Sequence, residues 1–220
     1  MKMRVEEYMK SKVVLFILFL MNLIFSISSF VLIINSNSEV TFDKLYSSVV
    51  EIKVNIDGVD YYGSAVCIKN NFLVTNFHII MSEKSQVYYR SCYSKTYNNS
   101  SIIGLDEHND LALLSINDAK IKPIKFASDI QNGTDVYSLG NTLNQGITIS
   151  KGIISNCNII SDSITYICSD NIIDDGNSGG ALVNSKKELI GITTFRISNI
   201  GYSYSISYEN VLKFINEFQI

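Results

Sequence analysis

Residues 50–58 read Val-Glu-Ile-Lys-Val-Asn-Ile-Asp-Gly, and this stretch predicts the fold class. Its apolar residues alternate with polar ones, which is the period of a β-strand with one buried face. Asp57-Gly58 is a residue pair that two-residue hairpin turns prefer, because both turn positions require positive φ. The run Val59–Ile68 then continues as the return strand. The stretch therefore predicts an antiparallel β-hairpin.

Short apolar runs of strand length recur through the rest of the chain, separated by turn residues such as Gly133 and Gly140. Many short strands without intervening helical periods indicate an all-β protein, built as barrels or as a sandwich. Two helices are also predicted, one over Phe42–Ser48 with Thr41 as N-cap and one amphipathic helix over residues 210–219. The further predicted strands are Phe72–Thr75, Ser85–Tyr89, Leu111–Ile116, Asp135–Leu139, Ile147–Ile154, Thr165–Cys168, Ala181–Val183 and Leu189–Thr193.

The composition is that of a packed globular protein rather than a disordered one. Of the 220 residues, 46% are hydrophobic, and 18 Lys and Arg stand against 21 Asp and Glu. No basic cluster follows residue 34, which argues against nucleic acid as a partner. The chain has two histidines and no Cys-x-x-Cys spacing, so neither a zinc site nor any other cofactor is expected.

The N-terminal segment predicts a membrane anchor. Four basic residues precede the uncharged run Val13–Ile34, which as a helix rising about 1.5 Å per residue crosses a hydrocarbon core of roughly 30 Å. Positive charge before the run places residues 1–12 in the cytoplasm, with 13–34 as a single-pass signal-anchor. Residues 35–40 are then a linker, and 41–220 form the extracytoplasmic domain. The alternative is a cleaved signal peptide, which would leave that domain secreted.

Four cysteines fit an exported domain, but their redox state stays open. Cys157 and Cys168 flank a predicted turn and could face each other across a hairpin, with Cys67 and Cys92 as a second pair. The alternative is four free thiols, since cysteine is commonly buried without a disulfide bond.

Three short stretches carry candidate chemistry. His78 closes the segment Thr-Asn-Phe-His at the end of a predicted strand, and Asp110 opens an apolar run. Residues 174–182 read Asp-Asp-Gly-Asn-Ser-Gly-Gly-Ala-Leu, with Ser178 between glycines. Taken singly, each has an ordinary explanation as a turn or a cap. Together they supply a nucleophile, a base that activates it and an acid that orients the base.

The glycines around Ser178 predict an oxyanion hole. The tetrahedral intermediate of acyl transfer requires backbone N–H donors that point at its negatively charged oxygen. Gly176 permits the backbone turn that brings such donors together, so the hole is predicted at Gly176, Asn177 and Ser178. Gly179 and Gly180 leave room for the chain to pass close behind the nucleophile.

These stretches resemble the trypsin-like serine proteases, and among them the HtrA/Deg branch. That branch reads roughly Thr-Asn-x-His-Val, Asp-Leu-Ala-Val-Leu and Asn-Pro-Gly-Asn-Ser-Gly-Gly-Pro-Leu, in the same chain order. Further similar segments are Gly63–Val66, Ser138–Asn141, Thr148–Ser155 and Gly201–Ser207. The resemblance implies a chymotrypsin-like all-β fold of two six-stranded antiparallel β-barrels. We expect the barrels at about residues 41–120 and 130–209, followed by the C-terminal helix.

The resemblance also implies where a substrate side chain binds. Ile172 is expected at the base of the primary pocket, with Thr193, Thr194, Ser203 and Ser205 on its walls. These side chains carry no charge that could pair with Lys or Arg. Cleavage is therefore expected after small or medium aliphatic residues, with modest discrimination among them.

The chain departs from the HtrA pattern before the oxyanion glycine, and it departs from the digestive proteases at Asn177. Asp174 and Asp175 replace Asn-Pro before the oxyanion glycine, which brings two carboxylates near the hole and could weaken it. Arg196 lies near the edge where a substrate strand would pair, and is expected either to clash with it or to bind an acidic neighbour. Asn177 replaces the Asp of digestive proteases, so activation by a newly cut N-terminus is not expected. No PDZ module is expected after the resemblance ends, near residue 212.

Two hypotheses of different classes follow. The first is a membrane-tethered serine endopeptidase that uses His78, Asp110 and Ser178 on protein or peptide substrates, without a cofactor. The second is a catalytically idle protease-fold protein that acts as a binding partner or scaffold on the membrane. The complete triad and the glycines favour the enzyme.

Overall fold

A computed structural model describes residues 12, 15–29, 42–43, 45–197, 199 and 201–220 of the chain. The chain divides into two compact units, Met1–Thr41 and Phe42–Ile220. In the first unit, residues 15–29 are helical and their side chains are almost all exposed. The rest of the predicted anchor and the predicted linker lie outside the described residues. Within the described residues, no helix combines the length and hydropathy that crossing a membrane requires.

The second unit contains two closed antiparallel barrels of six strands each, as the resemblance implies. The first barrel is built from β1 (Val49–Ile56), β2 (Val59–Lys69), β3 (Phe72–Thr75), β4 (Gln86–Arg90), β5 (Asn98–Asp106) and β6 (Leu111–Ser115). The second is built from β7 (Asp135–Gly140), β8 (Thr148–Ser161), β9 (Ile164–Ser169), β10 (Ala181–Asn184), β11 (Leu189–Ile197) and β12 (Tyr202–Ser207). The strand orders are β1-β2-β3-β6-β5-β4 and β10-β11-β12-β9-β8-β7.

The hairpin that predicted the fold class forms as expected. Ile56 of β1 pairs with Val59 of β2, which leaves Asp57 and Gly58 as a two-residue turn. Their φ angles of 51° and 86° are both positive, as a type I′ hairpin turn requires.

Apolar side chains fill each barrel and the space between the two barrels. In β6, Ala112 and Leu114 belong to the core inside the first barrel. Leu111 and Leu113 belong instead to a core shared by both barrels, which includes Leu139 of β7. Because β6 is buried on both faces, its sequence is continuously apolar instead of alternating.

Two helices complete the fold: α1 (Phe77–Ile80), a single turn, and α2 (Tyr208–Asn216). The C-terminal helix was predicted over residues 210–219, and α2 begins two residues earlier and ends three residues earlier. It begins at Tyr208 because Ser207 caps it by accepting the N–H of Glu209. The helix predicted over Phe42–Ser48 is only a 3-10 turn, Leu45–Ser47, and its predicted cap Thr41 lies outside the described residues.

The four cysteines are free thiols in this structure. Cys67 and Cys168 are buried, Cys157 is half-buried and Cys92 is exposed. Burial raises the pKa of the Cys67 thiol to about 12, and so keeps it in the unreactive protonated form.

Candidate active site

His78 and Asp110 meet at one end of the first barrel. His78 lies in α1, directly after β3, and Asp110 lies in the turn between β5 and β6. The Nδ1 atom of His78 is 3.0 and 2.9 Å from the two carboxylate oxygens of Asp110, and the backbone N–H of His78 donates to the same carboxylate at 2.9 Å. Asp110 therefore orients both the ring and the backbone of His78.

Two further residues hold Asp110. Its φ of 51° is positive, a costly conformation for a residue other than glycine, so its neighbours must hold the backbone there. The side-chain amide of Asn76 donates to the Asp110 carbonyl at 3.0 Å. The hydroxyl of Thr194, from β11 of the second barrel, donates to the Asp110 carboxylate at 2.8 Å. Contacts from both barrels thus hold the carboxylate in place.

Ser178 joins this group through the same threonine. Its hydroxyl donates to the Thr194 carbonyl at 2.9 Å. Among the described residues, no hydrogen bond links the Ser178 hydroxyl directly to His78. The connection runs through Thr194, which contacts both Ser178 and Asp110. The structure therefore brings the three predicted triad residues to one site, with Thr194 between the serine and the acid.

The loop that carries Ser178 is also held by hydrogen bonds to the first barrel. Ser64 in β2 donates its N–H to the Ser178 carbonyl and its hydroxyl to the Gly176 carbonyl, at 2.8 and 2.7 Å. Asn76 accepts the Gly179 N–H at 2.6 Å. Ser64 and Asn76 are fully buried, so water does not compete for these bonds. Sequence reasoning assigned neither residue a role, although both lie in quoted motif segments.

Some backbone N–H groups of the loop around Ser178 donate hydrogen bonds within the protein, and others have no protein acceptor among the described residues. Asn177 donates its N–H to the Asp174 carbonyl at 3.0 Å, and Gly180 donates to the Asn177 carbonyl at 2.9 Å. Within the described part of the chain, the N–H groups of Gly176 and Ser178 donate to no protein acceptor. Three residues were predicted for the oxyanion hole. The N–H of Asn177 is used in the turn that it closes with Asp174, which leaves the N–H groups of Gly176 and Ser178 as the available donors.

Gly176 is required by both conformation and space. Its φ is 90°, which L side chains rarely adopt, and a Cβ atom there would collide with the carbonyl oxygen of Asn141. The equivalent atom on Gly179, where φ is 81°, would collide with the carbonyl oxygen of Ser64. Both glycines let the loop lie directly against neighbouring backbone.

The residues predicted for the primary pocket separate into two groups. Thr193, Thr194, Ser203 and Ser205 are buried on β11 and β12, and the Ser203 hydroxyl bonds to Ser169. Ile172 is 82% exposed, so in this structure it does not form the base of an enclosed pocket, contrary to what the resemblance implied. It follows β9 in a loop, where its backbone N–H donates to the Ser150 hydroxyl at 3.0 Å.

Ile172 lines a shallow cavity of about 130 Å³ together with Arg196 and Tyr202. A second, open depression lies beside His78 and is lined by Phe77, Met81, Phe195 and other residues of the site. Among the described residues, no group of three or more His, Cys, Asp or Glu side chains is placed to hold a metal ion.

Arg196 binds an acidic neighbour, one of the two outcomes expected for it. Its guanidinium donates to the Asp174 carboxylate at 2.7 Å and to the Ile173 carbonyl at 3.2 Å. The bulge between Thr193 and Phe195 in β11 precedes this residue.

The chain is similar to known serine endoproteases. The DegS serine endoprotease of Haemophilus influenzae is 35% identical over 147 residues, which are 63% of this chain and 43% of that protein. A probable periplasmic DegP-like serine endoprotease of Buchnera aphidicola subsp. Schizaphis graminum is 32% identical over 194 residues, 83% of this chain and 37% of that protein. The chain therefore spans less than half the length of these two relatives.

Solved structures show the same likeness. The serine endoprotease from Yersinia pestis superposes with a TM-score of 0.73 at 27% identity, over 80% of this chain and 64% of that chain. The HtrA-type protease AlgW with a tripeptide also gives 0.73, at 26% identity, over 80% of this chain and 61% of that one. The model of the trypsin-like peptidase domain matches residues 63–192, which include the three positions predicted for the triad. This chain therefore belongs to the trypsin-like peptidase domain family, with relatives in the HtrA branch.

Proposed function

We propose that the chain is a serine endopeptidase with Ser178 as nucleophile, His78 as base and Asp110 as the acid that orients it. The observation that carries the proposal is the continuous set of contacts from His78 through Asp110 and Thr194 to Ser178. Relatives named serine endoproteases support the reaction class.

In the first step, the Ser178 hydroxyl exchanges its Thr194 acceptor for Nε2 of His78. Its oxygen then attacks the carbonyl carbon of the scissile peptide bond while its proton passes to Nε2. Asp110 accepts a hydrogen bond from Nδ1–H, which fixes the tautomer that leaves Nε2 free and stabilises the imidazolium that forms. Catalytic hydrogen bonds often shorten only when substrate is bound, so the Thr194 contact is compatible with this step.

The negative oxygen of the tetrahedral intermediate is held by the open N–H groups of Gly176 and Ser178. When the intermediate collapses, the C–N bond breaks and His78 gives its proton to the leaving amine. An acyl ester on Ser178 remains. Water then attacks this ester while His78 takes its proton. The ester C–O bond breaks, the acid product leaves, and His78 returns the proton to the serine oxygen, which restores the hydroxyl.

For specificity, we propose small or medium aliphatic residues before the cut. The buried side chains near the nucleophile on β11 and β12 are Thr193, Thr194, Ser203 and Ser205, and none can neutralise a cationic substrate residue. Paired peptide substrates that differ only in Val or Arg before the cut test this. Faster cleavage of the Arg peptide would refute the assignment.

A fluorophosphonate probe tests the proposed activity directly, since it reacts only with an activated serine. We expect one labelled site at Ser178 and none in a Ser178→Ala variant of equal circular dichroism. The alternative of an idle scaffold rests on the Ser178–Thr194 hydrogen bond, which leaves the hydroxyl away from its base. Absence of labelling at every pH between about 6 and 9, a range that extends to both sides of the usual histidine pKa, would favour that alternative.

We also propose that residues 13–34 anchor the chain, with the protease domain outside the cytoplasm. The support is the uncharged run, whose described part is helical and exposes apolar side chains such as Leu15, Phe19 and Phe25. The periplasmic name of one relative agrees with this location. Membrane fractionation and mass spectrometry of the mature N-terminus test the anchor. A soluble product that starts after residue 34 would refute it.

A further inference from the structure

Arg196 occupies an unusual place beside the active site. It lies at the exposed end of β11, two residues beyond the threonine that contacts both Ser178 and Asp110. Its guanidinium turns back toward the segment before the nucleophile, where it donates to the Ile173 carbonyl and the Asp174 carboxylate. A planar guanidinium can engage two acceptors at once in fixed geometry, whereas an ammonium group cannot.

Asp174 passes this contact on to the backbone of the loop. The same carboxylate oxygen that accepts from Arg196 also accepts the N–H of Asp175 at 2.8 Å. The Asp174 carbonyl accepts the N–H of Asn177 at 3.0 Å. Asp174 therefore closes the turn that contains Gly176, and Arg196 holds Asp174.

We propose that Arg196 is a positioning residue for the oxyanion loop, defined as residues 174–178, and that it increases the rate of Ser178 acylation by holding this loop through Asp174. The inference rests on the proposed function. It assigns a role to Arg196 and to Asp174, which departs from the HtrA pattern. Without a partner, the Asp174 carboxylate would repel a negatively charged oxyanion nearby. Paired with Arg196, it is instead the group through which β11 holds the loop.

Electrostatics act in the same direction. Asp174 and Asp175 place two negative charges next to the N–H groups that must stabilise a developing negative charge. The guanidinium neutralises the first of them at 2.7 Å. The side chains of Arg196 and Asp174 are 41% and 32% exposed, so their ion pair adds little to folding stability. Its effect is therefore expected in the reaction rate and not in the melting temperature.

The test uses the full chain with the variants Arg196→Ala, Arg196→Lys, Asp174→Asn and the double variant. Lys151→Ala is the matched control, because Lys151 forms an ion pair of equal length with Asp135 at an exposed position of the same barrel. The two readouts are the second-order rate of fluorophosphonate labelling and the separate kcat and KM for a peptide substrate.

For Arg196→Ala we expect kcat and the labelling rate to fall about 5- to 20-fold with KM nearly unchanged, in the range of coupling between contacting residues. Arg196→Lys restores charge without the two-acceptor geometry and recovers part of the rate. In the Asp174→Asn background, removal of Arg196 costs less than in the wild type, since the two residues act through one contact.

Several results would overturn the inference. Arg196→Ala with wild-type kcat, a loss confined to KM, strict additivity with Asp174→Asn, or an equal loss in Lys151→Ala would each do so. If Arg196→Ala is poorly folded, Arg196→Lys and Asp174→Asn, each compared with the wild type, still decide, and a wild-type kcat in both would overturn the inference. Wild-type labelling at Ser178 keeps the proposed function separate, because an unlabelled wild type would refute that function and not only the role of Arg196.

Discussion

Replacing Thr194 by valine removes one hydroxyl from the site while keeping the branched shape of the side chain. That hydroxyl donates to the Asp110 carboxylate at 2.8 Å, and the Thr194 backbone carbonyl that accepts from Ser178 is retained. Asp110 keeps its contacts with the ring and the backbone N–H of His78. The variant therefore removes one of the carboxylate's donors and leaves the rest of the site intact.

The magnitude follows from the environment of that bond. Hydrogen bonds to charged groups contribute about 1.5–3 kcal/mol. The Asp110 side chain is 24% exposed, so water replaces part of the lost contact, and we expect about 1–2 kcal/mol. If the contact orients Asp110 for catalysis, kcat/KM falls about 5- to 30-fold, since 1.36 kcal/mol corresponds to a factor of ten.

Steady-state hydrolysis of a peptide substrate measures this loss, and urea unfolding checks the fold. Thr194→Ser is the matched control, because it keeps the hydroxyl and loses only the methyl group, and it should remain within about threefold of the wild type. If Thr194→Val retains full activity, the Thr194 hydroxyl plays no part in orienting Asp110. If Thr194→Ser loses as much as Thr194→Val, packing and not the hydrogen bond explains the effect.

Three further changes test separate parts of the structure. Gly176→Ala forces a side chain into a positive-φ position against backbone, and should slow fluorophosphonate labelling about 100-fold or more, whereas near-normal labelling would mean that the loop tolerates a Cβ. Iodoacetamide at pH 8 should modify Cys92 in the folded protein before Cys67, whose pKa is about 12, and mass spectrometry would expose the reverse order. Arg90→Met leaves the buried Glu51 carboxylate without its cation and should lower the free energy of unfolding by about 2–4 kcal/mol in urea, with labelling unchanged; an unaltered urea midpoint would contradict this.

Local sequence rules predicted much of the fold because the relevant constraints lie within a few residues. The turn at Asp57-Gly58 needs two positive φ angles, and few residue pairs apart from Asp-Gly, Asn-Gly and Gly-Gly adopt them easily. The strand Phe72–Thr75 was predicted with the bounds that the structure has. The closure of strands into barrels came instead from the family resemblance, since periodicity alone left a sandwich open.

Other elements carry little local signal. Strand β5 begins with Asn-Asn-Ser-Ser and has no fully buried residue, so no apolar run marks it. Strand β8 continues to Ser161, well beyond the predicted end at Ile154, because its polar second half still pairs with β9. The turn α1 is too short to show a helical period.

The supporting contacts of the site could not be predicted from spacing. Ser64 donates to the carbonyl of a residue 112 positions later, and no local pattern distinguishes it from a surface serine. The same holds for Asn76, which lies at the N-cap position of α1 but bonds to Asp110 and Gly179 and does not cap the helix. Ile172 shows the opposite failure, since the family resemblance assigned the base of a pocket to a side chain that is exposed in the structure.

The residues of the candidate site come from both halves of the domain, and hydrogen bonds from Ser64 hold the two parts together. Ser178 and its loop belong to the later-synthesised half, whereas the earlier half supplies His78, Asp110 and the buried groups that hold that loop. A partly folded chain in which only one half is ordered therefore contains no working nucleophile. If Ser178 is the nucleophile, loss of activity on mild denaturation should precede loss of β-structure.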